Sequence, residues 1–167
     1  MASTHWACLL RCCCVRSDRV DTCSSQLACG VRARGLEEFH RAVFQADVAK
    51  VRWILVHQRK LLNETDKKDR SALHWACASG HPKTVNFLLN RKCRHNIFDH
   101  LYRAALVKGI QCQREKCVTL LLEHGAEIKL KDAQGNTPLH YAAYNGDLSI
   151  AAKLLSHGAN IEEKNKV

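Results

Sequence analysis

Paired leucines punctuate the chain at a fixed interval. Leu88-Leu89, Leu121-Leu122 and Leu154-Leu155 lie 33 residues apart in one phase, and Ile54-Leu55 precedes the series by 34. Ahead of each pair stands a shorter apolar run. Ser71-Ala72-Leu73-His74-Trp75-Ala76 returns as Thr137-Pro138-Leu139-His140-Tyr141-Ala142, with Ala104-Ala105-Leu106-Val107-Lys108-Gly109 midway and Phe39-His40-Arg41-Ala42 in the first position. Each run is too short to bury its apolar face alone, so the pattern predicts pairs of short helices that share a core by stacking. Four units result, approximately 35–65, 66–98, 99–131 and 132–167.

Local chemistry supports these boundaries best in the last unit. Thr137 suits an N-cap and Pro138 the first helical turn, where a missing N–H costs nothing. Ala142 and Ala143 allow close helix approach. Gly146 suits a left-handed helix end, Leu154 and Leu155 pack the second helix, and Gly158 stops it. The third unit departs from this scheme: it lacks the Thr-Pro and His of the opening run and carries Gln113 where Gly is expected. It is therefore the expected weak point of the array, and a truncated or vestigial chain that folds marginally and binds little is the alternative reading.

A 33-residue period with T-P-L-H-x-A at each opening resembles the ankyrin repeat. The last unit carries the likeness almost throughout, in Asp132, Gly135, Thr137 to His140, Ala142, Ala143, Gly146, Leu154, Leu155 and Gly158-Ala159-Asn160. Narrower features are similar to the mammalian POTE-like ankyrin proteins. These are Ala105-Leu106-Val107-Lys108, Gln111-Cys112-Gln113, Leu121 to Ala126 and Gly135 to Ala142. The resemblance covers residues 35–167. It implies an all-α solenoid of about four helix-turn-helix repeats with projecting β-turn fingers, and a non-enzymatic role in binding a protein or peptide. Turn tips and the inner face of the first helices would form the concave groove. Mapped onto this chain, they are Lys67, Lys68, Arg70 and Ser79 from the second unit, and His100, Leu101, Arg103 and Gln111 from the third. The fourth gives Gln134, Asn136, Tyr144 and Asn145. Such a groove is basic in its N-terminal half. An acidic segment with an apolar anchor near Tyr144 is the partner that charge complementarity selects.

Composition narrows the alternatives. With 167 residues, 46% hydrophobic and 25% charged, the chain has the make-up of one globular domain and no apolar run of membrane-spanning length. The net charge of +10 is spread along the chain. Its tightest cluster, Arg91-Lys92-Cys93-Arg94-His95, has no interleaved aromatics, so only non-specific, salt-sensitive attraction to nucleic acid is expected. Phosphate-loop, H-E-x-x-H and nucleophile-elbow patterns are missing from the sequence, which points away from an enzyme. No cofactor or metal is expected. His74 and His140 read as structural, and Cys93 reads either as a buried thiol or as one activated by Arg91, Lys92 and Arg94.

Six of the ten cysteines fall within the first 29 residues. Residues 1–34 are read as a Cys-rich segment without stable structure, and Cys12, Cys13 and Cys14 as candidate palmitoylation sites, through which alone the chain would meet a membrane. Without a recognisable secretory signal the expected setting is cytoplasmic or nuclear, where cysteines remain thiols and no disulfide framework forms. The last helix offers Leu148, Ile150, Ala151, Leu154 and Leu155, and ends without a polar cap. A monomer, or weak self-association through that end, is expected.

Overall fold

The computed structural model describes residues 27–166, with side chains from residue 35 onward. Among the described residues eight α-helices run in chain order: α1 (Leu27–Phe44), α2 (Val48–His57), α3 (Ala72–Ser79), α4 (Pro82–Asn90), α5 (Ala105–Gln111), α6 (Glu115–Glu123), α7 (Pro138–Tyr144) and α8 (Leu148–Ser156). A 3-10 turn (Arg59–Asn63) follows α2. The all-α solenoid of four helix pairs is as the repeat pattern predicts.

Helix starts follow their caps. Ser71 and Thr137 each form a capping box with the His three residues on, so the ring takes the part usually played by Glu or Gln. Pro82 and Pro138 occupy first turns. At the second helices of the first and last units, Asp47 and Asp147 accept hydrogen bonds from Lys50 N (2.9 Å) and Ile150 N (3.0 Å).

First helices α1, α3, α5 and α7 pack side by side in one layer, and second helices α2, α4, α6 and α8 form the other. The core lies between them. Phe39, Leu73 and Leu106 enter it from the first layer, and Val51, Val85, Val118, Ile54, Leu88, Leu121 and Leu154 from the second, all nearly inaccessible to water. Burial of this kind contributes roughly 1.5–3 kcal/mol per large side chain. In the last unit Leu155 is 41% exposed where its counterpart Leu122 is 5% exposed, and Leu148 and Ile161 are also open to solvent.

The repeat is also written in backbone angles. Each of the last three units has three residues with positive φ, at the finger, between its helices and after its second helix. They are Asp69, Gly80 and Lys92; Tyr102, Gln113 and Gly125; and Gly135, Gly146 and Gly158. Gln113, at φ 54°, keeps the turn that Gly makes in the neighbouring units.

At the N-terminal end α1 is continuous from Leu27 across residue 35. The first unit also carries the 3-10 turn Arg59–Asn63 after its second helix.

Candidate protein-binding surface

Each of the last three units opens with a finger, residues 66–70, 99–103 and 132–136, and each finger is built around the carboxylate of its first residue. Asp66 accepts from Lys68 N (2.9 Å), Arg70 N (3.0 Å) and Arg70 Nε (2.8 Å), with the Arg70 guanidinium ion-paired at 2.8 Å. Asp99 accepts from Leu101 N (2.9 Å) and Arg103 N (3.0 Å) and holds the Arg103 guanidinium at 2.8 Å. In the last finger Asp132 accepts from Gln134 N, Asn136 N and the Tyr141 hydroxyl. Burial alone would raise these carboxyl pKa values. The converging donors outweigh it and hold all three below the ordinary range. Burial, and then Asp132, push the Tyr141 phenol up to about 12.

Backbone hydrogen bonds join the three fingers to one another and the last of them to the segment at Lys166. His100 N donates to Lys68 O (3.1 Å), Ala133 N to Leu101 O (3.4 Å) and Lys166 N to Gln134 O (3.0 Å). Isolated antiparallel bridges, Thr65 with Ser71 and Phe98 with Ala104, close the bases of the first two fingers. The tips are thereby fixed in a row, and the His100 ring adds to the ladder through Nδ1, 3.2 Å from Lys68 O.

The groove residues selected from sequence divide into two groups. Lys67, Lys68, His100, Leu101 and Gln134 stand exposed on the tips, and Tyr144 is 91% exposed at the end of α7. The others are engaged within the fold. Arg70 and Arg103 are bound to Asp66 and Asp99, and Arg70 also lies 4.2 Å from the Trp75 ring centroid. Asn136 bonds to Asp132 and accepts from Asn165 Nδ2 (2.9 Å), Ser79 donates to Ala76 O (2.9 Å), and Asn145 Nδ2 donates to Ile110 O (2.8 Å). Gln111 is half-buried with its Oε1 unpartnered. The cationic character of the finger surface therefore rests on Lys67 and Lys68. Tyr102, exposed on the second finger, was not among the residues expected. It occupies the left-handed position that Gly135 fills in the last unit, and that departure was its signal in the sequence.

His74 and His140 serve as caps, and His74 also reaches the next finger through Arg103 O at 3.0 Å. Among the described residues no three His, Cys, Asp or Glu side chains come together to hold a metal, and no helix is long and apolar enough to cross a membrane. Cys93 is buried despite its basic neighbours, and burial pushes its thiol up to about 12, so it is not the activated thiol of the alternative reading. Cys77 and Cys117 are likewise free, buried and raised. Cys112 is disulfide-bonded, which departs from the expectation of thiols throughout. The candidate acylation sites Cys12, Cys13 and Cys14 lie outside the described residues.

Comparison with known proteins gives this geometry its family. The family model for ankyrin repeats in three copies matches residues 5–99, 39–132 and 100–165. XBAT31 of Arabidopsis thaliana, which carries the name of an E3 ubiquitin-protein ligase, is 31% identical over 132 residues, or 78% of this chain and 28% of XBAT31. The NAD-capped RNA hydrolase NUDT12 of Homo sapiens is 39% identical over 69 residues, 41% of this chain and 15% of the hydrolase, and its Macaca fascicularis counterpart matches equally. The chain thus spans less than a third of the length of these relatives, and the narrower POTE-like likeness is not among what the matches show. Matched by the family model over nearly its whole length, and with helix pairs and fingers recurring every 33 residues, the chain belongs to the ankyrin-repeat family.

Proposed function

We propose that the chain is a non-enzymatic protein-interaction module that binds a protein or peptide across its fingers and the adjoining ends of its first helices. The observation that carries this reading is the backbone ladder through His100, Ala133 and Lys166, which presents a preformed row of tips at no ordering cost on binding. Lys67 and Lys68 favour an acidic segment at one end, with apolar contacts supplied by Leu101, Tyr102 and Tyr144. In the longer relatives the matched region is one part of a protein named for an enzymatic activity. The role carried over here is that of the binding part, in a cytoplasmic or nuclear setting.

The test is quantitative affinity capture with the wild-type chain, a Lys67→Glu/Lys68→Glu variant and a Tyr144→Ser variant, with Lys83→Glu as a control on α4. A protein retained by wild type and control but lost by the finger variants supports the proposal; one retained equally by all four contradicts it. Membrane attachment enters only through acyl groups on Cys12, Cys13 and Cys14. A hydroxylamine-sensitive acyl label that disappears in the triple Ser variant supports it, and an unlabelled wild type removes it. The competing reading, a marginally folded chain without a dedicated partner, draws on the non-glycine residues held at positive φ, Ala46, Asp69, Lys92, Tyr102 and Gln113.

A further inference from the structure

Among the described residues, a concentration of unpaired positive charge lies away from the fingers, on the second-helix layer of the first two units. There the extra length of the first unit forms the 3-10 turn Arg59–Asn63, and the turn opens a cleft of about 410 Å³ between α2 and the end of α4. Leu55, Val56 and Leu62 give it an aliphatic floor, and Arg59 and Arg91 line it beside them. Leu55 and Leu62 are buried at its base, while Val56 is 67% exposed.

The cations continue past the cleft on both sides. Arg52, one turn before Val56 on α2, and Arg91 both lie over the Phe87 ring, at 5.8 and 5.1 Å from its centroid. Arg94 is fixed beside the 3-10 turn by its backbone N–H, which donates to Asn63 Oδ1 at 2.8 Å. Lys60 and Lys92 extend the same surface. Among the described residues none of these cations has a carboxylate partner, whereas Arg70, Arg103, Lys50, Lys131 and Lys153 all do. Of the nearby acids, Glu38 is committed to Lys50, Asp47 to its helix cap and Asp66 to Arg70, and Glu64, which follows the 3-10 turn, is half-buried and engaged within the fold.

We infer that this cleft is a second binding site, separate from the fingers, for an acidic peptide that inserts one aliphatic side chain between Arg59 and Arg91. Guanidinium groups flanking an apolar recess match carboxylates on either side of a Leu or Ile, because each fork can take a carboxylate with two parallel hydrogen bonds. A small anion would engage the two cleft arginines and leave Arg52 and Arg94 unmatched; an extended acidic segment neutralises the row. The floor is aliphatic, buried at Leu55 and Leu62 and open at Val56. It offers no stack of aromatic faces for nucleic-acid bases, and Val56 is the one aliphatic side chain of the floor that projects, where a membrane-inserting surface would present several.

The probe is a short fluorescein-labelled synthetic peptide of Asp and Glu with one central Leu, titrated with the full chain and followed by fluorescence anisotropy at physiological salt. Arg59→Gln/Arg91→Gln is expected to weaken binding about tenfold or more, the loss of two charge-assisted contacts. Val56→Glu and replacement of the peptide Leu by Ser should each weaken it as well, with Lys67→Glu/Lys68→Glu leaving it unchanged. Circular dichroism of each variant verifies its fold. No binding, equal binding of the Ser peptide, indifference to Arg59→Gln/Arg91→Gln, or loss with the finger variant instead would each overturn the inference. So would tighter binding of phosphatidylserine vesicles or oligouridylate than of the peptide. The finger variant separates failure here from failure of the finger-surface proposal.

Discussion

His74 joins two repeats: its Nε2 lies 3.0 Å from the carbonyl oxygen of Arg103, while its Nδ1 accepts the Ser71 N–H at 3.2 Å. Because Nδ1 is the acceptor, the ring proton sits on Nε2 and is donated to Arg103. One neutral imidazole thus caps its own helix and anchors the base of the following finger. His74→Ala strands the Ser71 N–H and the Arg103 carbonyl in a buried setting. The expected cost is about 2–3 kcal/mol, read as a lower urea midpoint at unchanged slope.

Protonation attacks the same arrangement. Burial depresses the pKa of His74, and burial pushes His40 down to about 4 from its ordinary 6.5. Between those two values the unfolded chain binds more protons than the folded one. Stability conferred by the neutral rings is therefore complete above about pH 6.5 and is lost as pH falls toward 4, with His40 accounting for as much as roughly 3 kcal/mol. The depressed Asp66, Asp99 and Asp132 extend the loss to lower pH. Urea midpoints measured across this range should fall steadily, and His40→Leu, which removes a ring whose Nε2 has no partner, should flatten the profile. A wild-type midpoint constant from pH 7 to 4 contradicts this assignment.

Arg103 and Lys67 make opposite predictions although both were read as groove cations. The Asp99 side chain is 2% exposed and that of Arg103 15% exposed. Arg103→Gln leaves a buried carboxylate with backbone donors alone, for an expected loss of about 2–3 kcal/mol. Lys67→Gln, at an exposed tip, should change stability by no more than about 0.5 kcal/mol. Thermal melts of the two variants check the contrast.

At Gly80 the backbone has φ +77° and an added Cβ would lie 2.6 Å from Arg114 Cδ and Nε. Gly80→Ala should destabilise the chain by at least the 1–2 kcal/mol of a left-handed residue, and Arg114→Ala should relieve only the contact part of that cost. The reverse change is available in the next unit. Gln113→Gly removes left-handed strain and should raise stability by about 0.5–1 kcal/mol after the entropy of glycine is counted.

Much of this was legible in the residues themselves. The leucine phase located all four helix pairs, and Thr137-Pro138 marked the helix start of the last unit, because those signals are local. Charge pairing was harder to read. Asp66 with Arg70 and Asp99 with Arg103 have visible spacing, but only the finger turn brings carboxylate and guanidinium together, so the arginines looked available to a partner. Cys93 left two readings open for a related reason, and the buried thiol is the one that holds: its neighbours Arg91, Lys92 and Arg94 turn outward at the end of α4 while the thiol turns into the core. The extension of α1 back to Leu27 follows no repeat signal, since the 33-residue pattern does not reach those residues. The Arg59–Arg91 cleft depends on how one extra residue is absorbed, which periodicity does not specify.

The central claim is that the stack passes unbroken through the irregular third unit, so that the fingers form one surface. Urea unfolding of the full chain, followed by far-UV circular dichroism and, in a Trp6→Phe variant, by the fluorescence of Trp53 and Trp75 in the first two units, tests it most directly. Coincident, single, steep transitions are the expected result. A two-step loss of helix, or a fluorescence transition separated from the circular dichroism, would contradict it.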